Sequence, residues 1–119
     1  MLPRALREVG LTVHTLADVY GEQRSQEIED TEWIAYGAKH DLVVLCKDDR
    51  IRRRPLERQA VQQGGVRVFC LTNANLTFDE QAERFVRHRF KIIQRSRSVG
   101  PYVYGVYENG LRKLWPLEW

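Results

Sequence analysis

The stretch Leu42-Val43-Val44-Leu45-Cys46-Lys47-Asp48-Asp49-Arg50 constrains the fold more than any other. It opens as a short continuous apolar run, which reads as a strand buried on both faces. Strands of that kind belong to parallel sheets covered by helices. The run passes without a break into two adjacent carboxylates and then into Arg50-Ile51-Arg52-Arg53-Arg54. Open α/β sheets place their ligands at the C-terminal ends of such strands. Carboxylates there, with cations beside them, suit a metal-dependent phosphodiester site next to a nucleic-acid-binding patch.

The rest of the chain supplies the layers around that strand. Pro3 to Val9 reads as a short helix closed by Gly10, and Leu11 to Leu16 as a strand alternating apolar and polar residues. Ala17 to Ile28 is polar and aperiodic, so a loop is expected. Asp30 to His40 is a helix. At about 100° per residue, one face carries Asp30, Trp33, Ile34, Gly37, Ala38 and Asp41, with Glu32 nearly opposite. After the strand Leu42–Cys46, Pro55 starts a helix from Leu56 to Gln63 that Gly64-Gly65 stops. Val66 to Leu71 is a further strand, ending at Thr72-Asn73-Ala74-Asn75. Thr77-Phe78-Asp79-Glu80 matches a capping box and opens the longest helix, which runs to Ser96 and carries Arg84, Arg87, His88, Lys91 and Arg95 on its polar face. Tyr102 to Tyr107 and Leu111 to Trp115 bracket Glu108-Asn109-Gly110, a hairpin signal. The alternation gives an α/β class: one three-layer α/β/α domain over residues 1–119, with a mostly parallel central sheet and a C-terminal β-hairpin.

Composition narrows the function classes. A chain of 119 residues has room for one core. No apolar run approaches the roughly 20 residues that cross a bilayer. Arg4, Arg7 and Glu8 bring charge too early for a signal peptide, so a cytoplasmic location is expected. The net charge of +3 hides an asymmetry. Glu22, Glu27, Glu29, Asp30 and Glu32 crowd the first third, whereas Arg and Lys dominate from Arg50 onward. Cys46 and Cys70 lie in separate apolar runs and lack Cys-x-x-Cys spacing, which reads as core packing. His14, His40 and His88 are dispersed, which argues against zinc. The sequence has no nucleophile elbow and no Gly-rich phosphate loop.

Metal-assisted phosphodiester hydrolysis needs carboxylates that gather Mg²⁺ or Mn²⁺, hard cations that prefer oxygen. Asp48 follows the strand, and Asp30 opens the helix before it. A tight helix-to-strand connection brings the first turn of the helix near the C-terminal end of the strand, so the two acids are expected to converge. Asn73 and Asn75, after the next strand, offer a neutral oxygen ligand or a water-positioning amide. A structural alternative stands beside each reading. Asp30 suits an N-cap, Asp48-Asp49 a turn, and Arg50 to Arg54 a solvated face. Tyr102, Tyr104, Tyr107, Trp115 and Trp119 suit packing better than base stacking. A receiver-like regulatory module would need a phosphoacceptor aspartate on a central strand and a lysine on a later one, an arrangement the sequence does not offer.

Two segments carry a family resemblance: Asp30-Thr31-Glu32-Trp33-Ile34, and Val43-Val44-Leu45-Cys46-Lys47-Asp48. They look like a helix opening in D-x-E-W-I followed by a strand ending in V-L-T-K-D. Arg52-Arg53-Arg54-Pro55, Val66-Arg67-Val68-Phe69 and Leu71-Thr72-Asn73-Ala74-Asn75-Leu76-Thr77 extend the match. The chain resembles the PIN-domain ribonucleases, in particular the PIN-like branch among VapC-type toxins of bacterial toxin–antitoxin pairs. The resemblance implies endonucleolytic cleavage of RNA with Mg²⁺ or Mn²⁺, restrained by a cognate antitoxin; a homodimer is allowed by the sheet edges that loss of a central strand would leave. By position, Asp30 becomes the helix acid, Asp48 the strand-end acid and Asn75 a weaker metal contact. Arg50, Arg52, Arg53 and Arg54 then hold the RNA backbone. Glu32 is a reserve candidate with its helical phase against it, and Asp49 is expected to point away from Asp48, serving the turn or balancing an arginine.

One departure bears on activity. A PIN domain begins with a strand ending in a metal-holding aspartate, and Met1-Leu2-Pro3-Arg4-Ala5-Leu6 already looks like the helix that follows it. The resemblance thus implies a form lacking the first strand and one principal ligand, through a misplaced start codon or a real loss. A catalytically inactive relative that binds RNA or a partner protein is the alternative function.

Overall fold

The computed structural model describes residues 16–21, 23, 27–46, 53–73 and 75–116. In chain order the elements are α1 (Leu16–Tyr20), α2 (Asp30–Lys39), β1 (Val43–Cys46), α3 (Pro55–Gly64), β2 (Arg67–Leu71), α4 (Phe78–Arg87), α5 (Arg89–Ser96), β3 (Tyr102–Tyr107) and β4 (Gly110–Trp115). The strands form one sheet in the order β1-β2-β3-β4. β1 and β2 pair in parallel with Val43 opposite Arg67 and Cys46 opposite Cys70, and β2 and β3 pair in parallel with Arg67 opposite Tyr102. β4 returns antiparallel through the hairpin, with Tyr107 opposite Gly110.

Period-two alternation along β2 and β3 divides the core into two layers. Val68, Cys70 and Val103 point to one face and are covered by Ile34 of α2 and Val61 of α3. Phe69, Leu71, Tyr102 and Val106 point to the other and are covered by Phe85 of α4 and Ile92 of α5. Both faces of a mostly parallel sheet are thus clothed in helices, the three-layer α/β/α arrangement read from the sequence.

Helix α2 buries Ile34 and Gly37 and half-buries Trp33 and Ala38, in the expected phase. Asp41 departs from it. It lies beyond the helix at φ 53°, where a short polar side chain tolerates the left-handed conformation. Its carboxylate is almost fully exposed and pairs with Arg67 at 3.2 Å. Helix α3 stops at Gly65 (φ 62°, ψ 34°), whose N–H closes onto Gln62 while that of Val66 closes onto Val61. A Cβ on Gly64 would come within 2.6 Å of the Ala38 Cβ, so α2 and α3 touch near their C-terminal ends.

Three sequence expectations are corrected. The Leu42–Cys46 run is half-buried along its length, because β2 is the only strand it pairs with among the described residues. The loop expected over Ala17–Ile28 contains most of α1, and Leu16, expected to end a strand, begins that helix. The helix expected from Thr77 to Ser96 is two helices, broken at His88 (φ −100°, ψ 13°). The buried His88 ring hydrogen-bonds the Glu108 carbonyl of the hairpin turn at 3.0 Å, and that bond favours the break. Cys46 and Cys70 sit in separate strands but are register partners, and both are thiols. The helix Pro3–Val9 and the strand residues Leu11–Thr15 lie outside the described residues.

Candidate active site

Asp30 is the first helical residue of α2, following Glu29 in the N-cap position with backbone at φ −67°, ψ 147°. The N-cap alternative for Asp30 therefore fails. A carboxylate in the first turn is favoured by the helix dipole. Side-chain contacts hold both of its oxygens. Oδ1 accepts the indole N–H of Trp33 at 2.9 Å, and Oδ2 accepts an N–H of Arg54 at 3.2 Å. Trp33 reaches it because residues three apart share one helix face. Arg54 reaches it from the N-cap position of α3, whose Pro55 takes the first helical place.

This contact fixes how the two helices lie. Their N-terminal ends meet at Asp30–Arg54 and their C-terminal ends at Ala38–Gly64, so α2 and α3 run side by side in the same direction. The chain leaves β1 at Cys46 and enters α3 at Pro55. The N-terminal end of α3, with Arg54 and Asp30, accordingly lies at the carboxyl edge of the sheet, the edge that binds ligands in open α/β folds. The pair is part-exposed, with 45% of the Arg54 and 38% of the Asp30 side chain in contact with solvent. The Arg54 guanidinium offsets the charge of the Asp30 carboxylate through Oδ2. The carboxylate's hard oxygens suit Mg²⁺ or Mn²⁺.

The other candidates fall as follows. Arg53 is exposed beside Arg54. Asn75 is exposed past the carboxyl end of β2, and its N–H donates to the Asn73 side-chain oxygen at 2.9 Å, an Asx turn. Among the described residues no hydrogen bond joins Asn75 to Asp30 or Arg54. Asp48, Asp49, Arg50 and Arg52 lie outside the described residues. Among the described residues no group of three or more His, Cys, Asp or Glu side chains could hold a metal ion. Glu32 is exposed, as its phase implies. It lines a surface cleft with Glu27, Ile28, Glu29 and Thr31, an acidic flank that would repel a polyanion. The sequence reading missed the Trp33 indole as an orienting donor, although the Asp30–Trp33 spacing of three was its signal.

Comparison with known proteins decides the lineage. A family model described as "PIN like domain" matches residues 1–73, a span that holds α1, α2, β1, α3 and β2. The chain belongs to the PIN-like domain family. It is 33% identical over 113 residues to "Putative ribonuclease VapC45" of Mycobacterium tuberculosis, covering 95% of this chain and 82% of that protein. No solved structure gives a significant match. Both findings support a VapC-type PIN lineage, and the fold is consistent with a PIN-like α/β/α domain. No helix among the described residues is long and apolar enough to cross a membrane.

Proposed function

We propose that this PIN-like protein is a Mg²⁺- or Mn²⁺-dependent endoribonuclease, the toxin of a toxin–antitoxin pair acting in the cytoplasm. The observation that carries the reading is the placement of Asp30 at the carboxyl edge of the sheet, next to a guanidinium, in a chain similar to a protein named as a VapC ribonuclease. Asp30, Asp48 and Asn75 would hold the ion, as oxygen donors of the kind these cations prefer. The chemistry supplied on binding is polarisation of the scissile phosphate and activation of water. Trp33 keeps the Asp30 carboxylate in one orientation. Arg50, Arg52 and Arg53 hold the RNA backbone through charge-assisted hydrogen bonds, and Arg54 joins them when it turns from Asp30 toward phosphate. A cognate antitoxin restrains the activity, and a second copy of the chain is a further partner.

A labelled single-stranded RNA incubated with Mn²⁺, beside the same reaction in EDTA and beside Asp48→Asn, tests the assignment. Cleavage by the wild type alone, and only with the ion, supports it. Equal cleavage by Asp48→Asn removes that residue from the mechanism. One observation favours a second reading, a catalytically inactive RNA-binding relative: both Asp30 oxygens are already engaged by Trp33 and Arg54. That reading expects no heat when Mg²⁺ is titrated into the protein, and RNA binding that needs no divalent ion.

A further inference from the structure

Helix α5 presents a basic, aromatic surface far from Asp30. Its buried Ile92 packs with Phe69, Leu71 and Phe85, on the opposite face of the sheet from α2 and α3. Its C-terminal end lies at the amino edge of the sheet. There Arg67, the first residue of β2, donates to the Ser96 carbonyl at 2.6 Å and to the Asp41 carbonyl at 3.0 Å. Asp30 stands at the other edge.

The outward arc of this helix follows from its phase. Phe90 and Gln94 lie opposite Ile92, and Lys91 and Arg95 continue the same arc round one flank of the helix, all four exposed, with exposed Arg97 just past the last turn. From residue 84 to 97 the chain carries Arg84, Arg87, Arg89, Lys91, Arg95 and Arg97 and no acid at all. Among the described residues no acid pairs with Lys91, Arg95 or Arg97. Lys91 and Arg95 stand four apart, a spacing at which like charges destabilise a helix. Arg95 and Arg97 are explained in part by the helix C-terminus, which favours cations. Lys91 and the aromatic residue are not. Phe90 is 70% exposed, with the Arg89 guanidinium carbon 4.4 Å from its ring centroid.

An exposed ring among cations that no described acid pairs is the composition of a single-strand nucleic-acid platform, in which bases stack and phosphates are neutralised. We infer that α5 is a second contact tract for single-stranded RNA, with Phe90 stacking a base and Lys91, Arg95 and Arg97 holding phosphates. An acidic protein segment would use the cations but has less use for the ring. The inference rests on the proposed RNA substrate and extends its path onto the face of the sheet remote from Asp30.

Fluorescence anisotropy of a short labelled oligouridylate, titrated in EDTA over a series of salt concentrations, tests it. Replacing Lys91, Arg95 and Arg97 together by Ala should lower the log–log salt slope by about 2, at roughly 0.7 per lost phosphate contact on a single strand. Phe90→Ala should weaken binding on the order of 10-fold, and Phe90→Tyr should restore it. An unchanged salt slope overturns the tract. So does a Phe90→Ala variant that binds RNA like the wild type while heparin and RNA weaken equally in the triple variant, the mark of an unspecific anion or acidic-protein surface. Cleavage assays keep the two readings apart. Wild-type cleavage with an unchanged slope sinks the tract and leaves the nuclease. Loss of slope without wild-type cleavage sinks the nuclease and leaves the tract.

Discussion

Arg54 and Asp30, 24 residues apart in the chain, meet at 3.2 Å and tie the starts of two helices on the sheet's carboxyl edge. In the proposed site the guanidinium competes with the ion for the Asp30 carboxylate. Arg54→Ala should therefore bind Mn²⁺ more tightly, by roughly 5-fold for a charge interaction of about 1 kcal/mol across solvent. Its stability should fall by less than about 1 kcal/mol, as expected of a part-exposed ion pair. Calorimetric titration of Mn²⁺ alone, with urea melts, checks both. Weaker Mn²⁺ binding by Arg54→Ala would contradict the arrangement.

Trp33 supplies the other contact to Asp30. Trp33→Phe keeps most of the half-buried ring surface and removes the N–H, at about 1 kcal/mol of stability for a lost hydrogen bond to a part-exposed carboxylate. With the carboxylate free to rotate, kcat for RNA cleavage should drop while KM stays near the wild-type value. Steady-state kinetics on a defined RNA separate the two parameters.

The capping box at the start of α4 is fully formed. Thr77 N–H donates to Glu80 Oε1 at 3.0 Å, and Glu80 N–H donates to Thr77 Oγ1 at 3.2 Å. The backbone and side-chain hydrogen bonds with Thr77 hold the Glu80 carboxyl below its ordinary value. Its contribution is present above the unfolded-state value and is lost as pH falls through the lower folded-state value. Thr77→Ala should cost about 1 kcal/mol near neutral pH. Glu80→Gln removes the titrating carboxyl instead, so in thermal melts the gap between wild type and Glu80→Gln should close as pH falls through the folded-state value, whereas the gap to Thr77→Ala, which keeps the Thr77 backbone N–H, should largely persist.

Burial acts on Tyr102 in the opposite sense. Its hydroxyl donates to the Arg95 carbonyl at 2.8 Å, and burial pushes its ionisation above the ordinary tyrosine value. The stability this group provides is whole below the unfolded-state value and is lost as pH rises through the higher folded one. Tyr102→Phe should flatten that alkaline loss, as read from melts in carbonate buffers.

Much of this architecture is written in local patterns. The helical phase from Asp30 places Ile34 and Gly37 inside. Thr77 and Glu80 announce a helix start, Gly65 a helix stop, and Asn109-Gly110 the hairpin. What escaped the sequence is contact between distant segments. Half-burial of Val43–Cys46 depends on which strands flank it, and the break at His88 accompanies a bond to a carbonyl 20 residues later. The engagement of Arg54 with Asp30 is equally invisible in one dimension, because a run of arginines reads as uniformly available. Of the candidate site, the Asp30 position at the start of a helix was legible, the spacing of three signalled its Trp33 partner, and only the distant Arg54 partner had no local signal.

Whether the helix acid and the strand-end acid share one ion is open to a double-mutant cycle on Mn²⁺ affinity, using wild type, Asp30→Asn, Asp48→Asn and the double variant. Groups that act on a common ligand give non-additive losses. Each single substitution should remove most of the binding heat, and the double should lose little more than either. Additive losses, or a single variant that binds Mn²⁺ like the wild type, would contradict a shared site and with it the nuclease reading.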